Sequence, residues 1–315
     1  MPIKTFFLSF LTGKFLLVEL SGGLGNQIFQ LEMARSLVNS GSRKMIIDVS
    51  NIDSQQFGGK STIESFLFQP DVLIIKYGQY IKKFTNTFKR YLKYLNRINQ
   101  RFVLVLDEVG MGLNINEVGQ LVQSRNSKFI VVFGYYQDFA YWSAPDNYEL
   151  RNPGKVYSDL VRLNTEYRPI ILHYRVGSFG TVWEYQWGIL NPNYFDAALS
   201  LLNKNSSIRK NPIWVFSDNT HEVKNIIKDS HVLDKYSFNF IDDSELSPAE
   251  LFILFSKSQY LICSNSTFSL AAAKVGNVPN VIAPANLSKY SRIMISMPER
   301  WNQLDSVWLD NTFHD

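Results

Sequence analysis

The sequence predicts an α/β fold made of two units, each built on a parallel sheet with helical crossovers. Strand-length apolar runs alternate with helix-like segments along most of the chain. The chain has 315 residues and 45% hydrophobic content, which is enough for two cores. A polar region with glycine and proline at 143–155 separates the halves. We therefore expect one domain at 1–155, a second at 156–315, and a cleft that both domains face.

The predicted strands are the short apolar runs at 15–20, 44–49, 102–106, 129–133, 169–173, 213–216, 260–263 and 280–283. A glycine cluster, Gly22-Gly23-Leu24-Gly25, follows the first run and leads towards a helix-forming segment at 31–38. A strand, a tight turn and a helix in this order aim backbone N–H groups at a ligand. The cluster predicts an anion or sugar-nucleotide site, although a plain turn between strand and helix explains the same glycines.

The glycine spacing disfavours two common nucleotide motifs. Ile28 stands where the dinucleotide-binding fingerprint needs its third glycine, which argues against a dehydrogenase. No Lys-Ser or Lys-Thr pair follows the last glycine, so the segment is not a Walker A loop.

Composition excludes several classes of protein. A charged fraction of 19% and a net charge of +4 argue against a nucleic-acid partner. Cys263 is the single cysteine, which excludes an internal disulfide framework and is typical of a reducing compartment. The four histidines lack metal-ligand spacing. The apolar run at 5–11 is too short to span a bilayer. We expect a cytoplasmic protein with metal-independent chemistry and no cofactor.

A basic amphipathic helix is predicted at 81–102. Its apolar residues recur at three- and four-residue intervals, and its other face carries lysine and arginine without an acidic residue. Such a face suits anionic lipid at the inner membrane face. A helix packed on its own core with a solvated basic face has the same pattern.

Polar segments follow three of the predicted strands. His173 and Arg175 end the run at 169–173, Asp218 follows 213–216, and a hydroxyl-rich segment begins at Ser264. Side chains two apart on an extended segment share a face, and ligands of open α/β sheets bind at the carboxyl ends of strands. The fork of Arg175 suits a diphosphate. A structural salt bridge for Arg175 and a core position for His173 are the alternatives.

Two roles fit Asp218, which could cap the helix that follows it or bind a base or ribose. The segment from Ser264 to Ser269 offers more donors at a helix N-terminus than one cap requires, which favours phosphate binding.

Four strings together resemble the α-1,2-fucosyltransferases, glycosyltransferase family 11. They are Gly22-Gly23-Leu24-Gly25-Asn26-Gln27-Ile28-Phe29-Gln30, His173-Tyr174-Arg175, Phe216-Ser217-Asp218 and Ser264-Asn265-Ser266-Thr267-Phe268-Ser269. Gly134-Tyr135-Tyr136-Gln137 and Gly188-Ile189-Leu190-Asn191-Pro192-Asn193-Tyr194-Phe195 resemble two further elements of that family. The resemblance covers residues 15 to 290.

The resemblance implies a GT-B fold of two Rossmann-like domains and an inverting, metal-independent transfer of L-fucose from GDP-fucose to the 2-hydroxyl of a galactosyl acceptor. It places the acceptor side in the first domain and the donor in the second. It implies that Arg175 grips the β-phosphate, that His173 places the nucleotide and that Asp218 contacts guanosine. The residues implied for the diphosphate are Ser264, Asn265, Ser266, Thr267, Phe268 and Ser269. Those implied to face the fucose are Gly22, Gly23, Gly25 and Asn26.

The acceptor-side candidates are Tyr136 and Gln137, which lie in the string that resembles the family, and Glu184. Glu184 and Asp48 are the candidates for a general base. The chain departs from the family at one position. The family continues its His-x-Arg motif to Gly-Asp, whereas Gly177 is followed here by Ser178.

The leading hypothesis is a bacterial-type fucosyltransferase of surface polysaccharide or O-antigen synthesis, acting on a lipid-linked glycan acceptor. A related transferase with another nucleotide sugar is the first alternative. A non-catalytic protein that binds sugar nucleotides or glycans, with Ser178 marking lost activity, is the second.

Overall fold

The computed structural model describes residues 14–38, 43–50, 52, 63–67, 72–75, 93–101, 103–107, 117–118, 120–121, 125–142, 147–177, 187–289 and 295–309. The chain divides into two compact units, Met1–Asp146 and Asn147–Asp315. This division falls inside the polar region at 143–155 that the sequence marks as a boundary. The domain limits at 155 and 156 stay a prediction.

The first unit holds a five-stranded parallel sheet within the described residues, in the order β3-β2-β1-β5-β4. Its elements are β1 (Lys14–Glu19), α1 (Leu24–Val38), β2 (Arg43–Asp48), β3 (Leu73–Ile75), β4 (Val103–Asp107) and β5 (Phe129–Phe133). Short 3-10 helices lie at Ile63–Ser65 and Phe139–Tyr141. β2 is buried at every position except Lys44, whereas β1 and β5 are each buried at three positions.

The described part of the second unit holds a six-stranded parallel sheet in the order β11-β10-β9-β6-β7-β8. Its elements are α2 (Lys155–Tyr167), β6 (Ile170–His173), α3 (Pro192–Asn203), β7 (Ile213–Phe216), α4 (Thr220–Lys228), β8 (Phe238–Phe240), α5 (Pro248–Ser256), β9 (Tyr260–Ile262), α6 (Thr267–Val275), β10 (Asn280–Pro284) and β11 (Asn302–Leu304).

Helix caps fix where the helices of the second unit begin. Asn191 accepts from the backbone N–H of Asn193, and Pro192 follows it at the first helical position of α3. Ser247 and Glu250 form a reciprocal capping box at the start of α5. Glu250 also accepts from the backbone N–H of Gly154 at 2.6 Å, so this carboxylate ties the entry of α2 to α5.

The predicted α/β fold is confirmed, and all eight predicted strands are present. The sequence missed β3, β8 and β11, three strands of three residues each that all lie at sheet edges. The first helix starts earlier than predicted. It begins at Leu24, so Gly25 and Asn26 belong to its first turn, and the turn itself is limited to residues 21–23.

The predicted basic helix at 81–102 lies mostly outside the described residues. Residues 93–98 are helical. Leu95 packs against the cluster of Val103, Val105 and Val131, whereas Ile98, predicted on the same apolar face, is 63% exposed. Membrane contact of this segment stays a prediction.

Gly276, which follows α6, is expected to tolerate no side chain. A Cβ atom there would lie 1.7 Å from the backbone oxygen of Ser256 at the end of α5, and backbone cannot rotate away as a side chain can. We expect Gly276→Ala to lower the free energy of unfolding by about 3 kcal/mol or more. Gly23→Ala is the control, because a Cβ at Gly23 meets no atom within 4 Å. Equal urea midpoints for the two variants would contradict this packing.

Candidate functional site

The candidate site of the second unit lies at the carboxyl edge of its sheet. Strands β9, β6 and β7 are neighbours and run parallel, so the chain leaves all three at the same edge. The segments that follow them, at 174–177, 217–219 and 263–266, carry the polar residues singled out in the sequence. The topology therefore brings together Arg175, Asp218 and Ser266, as the sequence predicts.

Arg175 is held from both neighbouring strands. Its backbone N–H donates to Ser264 Oγ at 3.2 Å, and its Nη1 atom donates to Ser266 Oγ at 3.4 Å. On the other side its Nε atom lies 3.7 Å from Asp218 Oδ2. The side chain is half exposed, so its guanidinium remains accessible to a ligand.

Asp218 fixes the turn that follows β6. Its Oδ1 atom accepts from the backbone N–H of Val176 at 3.0 Å, and Gly177 N–H donates to both carboxylate oxygens at 3.2 and 3.1 Å. Gly177 has a φ of +74°, a conformation that favours glycine. Of the two roles that the sequence leaves open for Asp218, capping of the following helix is not observed, because Asn219 accepts from Glu222 N–H and caps α4 instead.

His173 ends β6 but does not share the exposure of Arg175. Its ring is buried, with ring centroids 5.5 Å from Phe255 and 5.9 Å from Phe268. Nδ1 has no hydrogen-bond partner among the described residues. Burial lowers the pKa of His173 to about 4, with Arg175 adding to the shift and Asp218 opposing it. The imidazole is therefore neutral near pH 7 and packs against Phe255 and Phe268 without a charge.

The segment from Ser264 to Ser269 divides into bracing residues and a helix N-terminus. Ser264 Oγ donates to Asn265 Oδ1, and Asn265 Nδ2 donates to the carbonyl oxygen of Gly188 at 3.0 Å. Ser269 Oγ donates to Ser266 O within the first turn of α6. Ser266 caps α6 by accepting from Phe268 N–H at 3.3 Å. Four of these polar residues are thus committed to internal bonds, and their contact with a donor stays a prediction.

The guanidinium of Arg175 therefore lies beside the N-terminus of α6. Both carry positive charge, since a helix N-terminus bears a partial positive charge. Asp218 offsets part of this repulsion at 3.7 Å. An anion placed against both groups would gain charge-assisted hydrogen bonds from each, so the chemistry of this edge suits an anion such as a phosphate or diphosphate.

The glycine turn of the first unit is braced by glutamines. Gln30 Nε2 donates to Ser21 Oγ at 3.0 Å and to Gly134 O at 2.8 Å, while its Oε1 atom accepts from Ser21 N–H. Gln27 Nε2 donates to Gly22 O at 3.0 Å. Both glutamines are buried. Gly22 needs to be glycine, because its φ is +75° and a Cβ would lie 2.6 Å from Asn26 Nδ2.

Asn26 and Gln137 meet at this turn. Gln137 Nε2 donates to Asn26 Oδ1 at 2.8 Å, which joins the first turn of α1 to the segment after β5. Tyr136, predicted on the acceptor side, is buried with its ring edge-on to Tyr141. Tyr135 is the exposed tyrosine of the pair, at 38%.

Of the two base candidates, the structure describes only Asp48. Asp48 is buried at the carboxyl end of β2 and accepts from Ser50 N–H at 2.9 Å. Glu184 lies outside the described residues, as does Ser178. Their roles stay predictions.

Sequence reasoning gave no role to three residues that shape these edges. Gln30 stood out in the sequence only as part of the motif at 22–30. A single buried amide in a helix does not change the spacing of apolar residues, so that spacing does not reveal it. Tyr135 and Phe255 were also missed. Tyr135 lies against Gly22, and Phe255 covers His173. An exposed aromatic next to a glycine turn is the signal that could have indicated Tyr135.

In the part of the chain that the structure describes, no three His, Cys, Asp or Glu side chains cluster in a way that could hold a metal ion. The helices described there include none that is long and apolar enough to cross a membrane. Metal independence and the cellular location stay predictions.

The comparisons with known proteins found solved structures that resemble this chain. No protein-family model and no curated protein matches the chain. The crystal structure of fucosyltransferase NodZ from Bradyrhizobium aligns over 91% of this chain and 99% of its own, with 14% identity and a TM-score of 0.52. NodZ α-1,6-fucosyltransferase co-crystallised with GDP, and the same enzyme soaked with GDP-fucose, each align over 85% of this chain and 94% of theirs, with 14% identity and TM-scores of 0.50.

A likeness at this level of identity shows the fold alone. The chain has the GT-B type of fold, with two Rossmann-like domains, as the sequence predicts. Its membership of the α-1,2-fucosyltransferases stays a resemblance carried by the motifs.

The buried histidine predicts a pH dependence of stability. Its pKa is lowered from 6.5 to about 4 in the folded chain, so between these values the unfolded chain binds the additional proton. The free energy of unfolding therefore keeps its full value above pH 6.5 and falls as the pH falls towards 4. This group lowers it by at most about 1.4 kcal/mol per pH unit.

Urea unfolding at several pH values checks this expectation against His173→Phe, which keeps an aromatic ring between Phe255 and Phe268 but cannot titrate. The free energy of unfolding of the parent should fall more steeply than that of the variant between about pH 6 and 4.5. Parallel pH profiles would show that His173 keeps its ordinary pKa.

Proposed function

We propose that this protein is a fucosyltransferase that uses GDP-fucose as its donor. The observation that carries the proposal is the Arg175 guanidinium beside the capped N-terminus of α6, with Asp218 opposite. NodZ, whose fold the chain shares, is named as a fucosyltransferase and was studied with GDP and with GDP-fucose. The motif resemblance to the α-1,2-fucosyltransferases points to the same donor independently of the fold.

In this proposal the second unit binds the nucleotide sugar at the carboxyl edge of its sheet. Arg175 and the backbone N–H groups at the start of α6 bind the diphosphate. Negative charge grows on the β-phosphate as the bond from the fucose anomeric carbon to the phosphate oxygen breaks. Arg175 is already oriented by Asp218 and Ser266, so it stabilises this charge without reorganising.

The acceptor hydroxyl attacks the anomeric carbon from the opposite face, which inverts its configuration, while its proton passes to a base and GDP leaves. We propose the 2-hydroxyl of a galactosyl unit as the acceptor position, on the motif resemblance. NodZ is named as an α-1,6 enzyme, so the shared fold alone supports no choice of hydroxyl. Asn26 and Gln137, bonded to each other on the first unit, are the acceptor-side residues of this proposal.

We further propose a bacterial-type enzyme of surface polysaccharide or O-antigen synthesis that works in the cytoplasm on a lipid-linked acceptor. The support is the basic pattern at 81–102 together with the single cysteine. Vesicle sedimentation tests the membrane contact, since a basic face requires preference for anionic over neutral lipid.

Release of GDP from GDP-fucose by the purified full chain tests the function, with and without β-galactoside-terminated acceptors and in the presence of EDTA. Acceptor-stimulated release that survives EDTA is expected. Identification of the product linkage then tests the 2-hydroxyl assignment. Stabilisation by a uridine nucleotide and not by GDP in a thermal-shift series would contradict the assignment of GDP-fucose as the donor. Tight GDP-fucose binding without release under every acceptor would favour the non-catalytic alternative.

Replacement of Arg175 should remove the stabilisation of the leaving diphosphate. We expect Arg175→Ala to lower kcat by about 100-fold or more, the scale of losing one transition-state donor. Arg175→Lys should recover only part of the rate, since lysine keeps the charge but lacks the fork. Arg162→Ala is the control, because Arg162 is exposed and its ion pairs among the described residues are with Asp159 and Glu166 of α2. Steady-state kinetics checks this expectation, and a normal kcat in Arg175→Ala would refute the role.

Asp218 should act on the rate through Arg175. Asp218→Asn removes the charge that two backbone N–H groups and Arg175 share, and we expect kcat to fall about tenfold with a smaller change in KM for GDP-fucose. Asp234→Asn, an exposed carboxylate of the same unit, should leave both constants unchanged. A rise in KM at constant kcat would instead make Asp218 a nucleotide contact.

A further inference from the structure

A second polar concavity lies at the opposite edge of the sheet that carries Arg175. It has a volume of about 740 Å³ and is lined by Ile170 and Ile213, the first residues of β6 and β7. The candidate donor edge follows the last residues of the same two strands. The concavity is therefore separated from Arg175 by the length of the strands, and nothing derived above uses it.

Four basic side chains line this concavity, and no aspartate or glutamate does. They are Lys204 after α3, Arg209 and Lys210 before β7, and Lys235 before β8. All four are exposed. Lys204 at the C-terminus of α3 is the kind of residue that helix ends favour. That explanation does not extend to the other three, which come from loops and converge on the same space.

In the described part of the chain, a carboxylate compensates one of these four charges. Lys235 Nζ lies 2.7 Å from Asp196 Oδ1, and Tyr236 OH donates to the same oxygen at 2.9 Å. Among the described residues no ion pair is formed by Lys204, Arg209 or Lys210. Arg209 Nε donates to Asn203 O at 2.8 Å, which orients its guanidinium. Three uncompensated cations around one concavity repel each other and attract an anion.

The lining also indicates what kind of anion fits. Ser237 and Asn239 add neutral hydrogen-bonding groups, while Ile170, Pro212 and Ile213 add apolar surface. The volume is typical of sites for small organic molecules and far exceeds a single phosphate ion. We propose that this concavity is a second binding site for a phosphate-bearing molecule, distinct from the donor edge. The basic side chains bind the phosphate, and the apolar floor contacts the rest of the ligand.

Inorganic pyrophosphate is the probe, titrated calorimetrically at low ionic strength into the full chain carrying Arg175→Ala, which removes the guanidinium of the donor edge and so weakens binding there. Adding Lys204→Gln and Lys210→Gln should weaken pyrophosphate binding about tenfold or more, since two charge-assisted contacts are lost. Adding Lys155→Gln and Lys224→Gln instead makes the same change of charge away from the concavity. This control should leave the affinity unchanged. Equal thermal midpoints establish that the compared variants fold alike.

Sedimentation with phosphatidylglycerol and phosphatidylcholine vesicles distinguishes the sources of the phosphate. Binding of free pyrophosphate that the concavity variant loses supports a soluble phosphorylated ligand. Binding of phosphatidylglycerol vesicles alone, lost in the same variant, supports a lipid phosphate. Equal binding by the concavity and control variants overturns the proposal, as does the absence of both kinds of binding in the Arg175→Ala parent.

Discussion

The carboxylate of Asp218 is the interaction on which the second unit's edge depends. It accepts hydrogen bonds from the backbone N–H groups of Val176 and Gly177 and faces Arg175. These bonds exist only because β6 and β7 pair in the register that sets His173 opposite Phe216. A slip by one residue would turn every side chain to the other face of the sheet. The orientation of Arg175 is thus a consequence of strand register as much as of local sequence.

Both units hold a glycine turn after a central strand, but different side chains hold it in each. Each has a turn with a positive-φ glycine after a central strand. In the first unit the turn at Gly22 is held by the neutral amides of Gln27 and Gln30. In the second unit the turn at Gly177 is held by a carboxylate next to an arginine. A neutral hydrogen-bonding edge suits the hydroxyls of a sugar, whereas a charged edge suits a phosphate. This difference is consistent with the proposal that the first unit carries the acceptor side and the second unit the donor side.

Burial explains which strands could be predicted. Central strands such as Ile213–Phe216 are buried at every position and appear in the sequence as continuous apolar runs. The missed strands lie at edges and are short. In Phe238–Phe240 and Asn302–Leu304 no residue is fully buried, so no apolar run marks them. Such strands exist because a neighbouring strand offers its free hydrogen-bonding edge, and this tertiary cause is invisible in the local sequence.

The sequence predicts which residues form the site better than it predicts the groups to which they bond. Sequence placed Arg175, Asp218 and Ser266 at one edge because parallel strands end together. It did not identify Asn219 as the cap of α4, although asparagine favours that position as much as aspartate does. Likewise alternation does not say which of Tyr135 and Tyr136 faces solvent, because the φ of +48° at Tyr136 breaks the extended period. Where the backbone leaves regular structure, the direction of a side chain follows from bonds to distant segments. The polar residues of both edges lie in or next to such places.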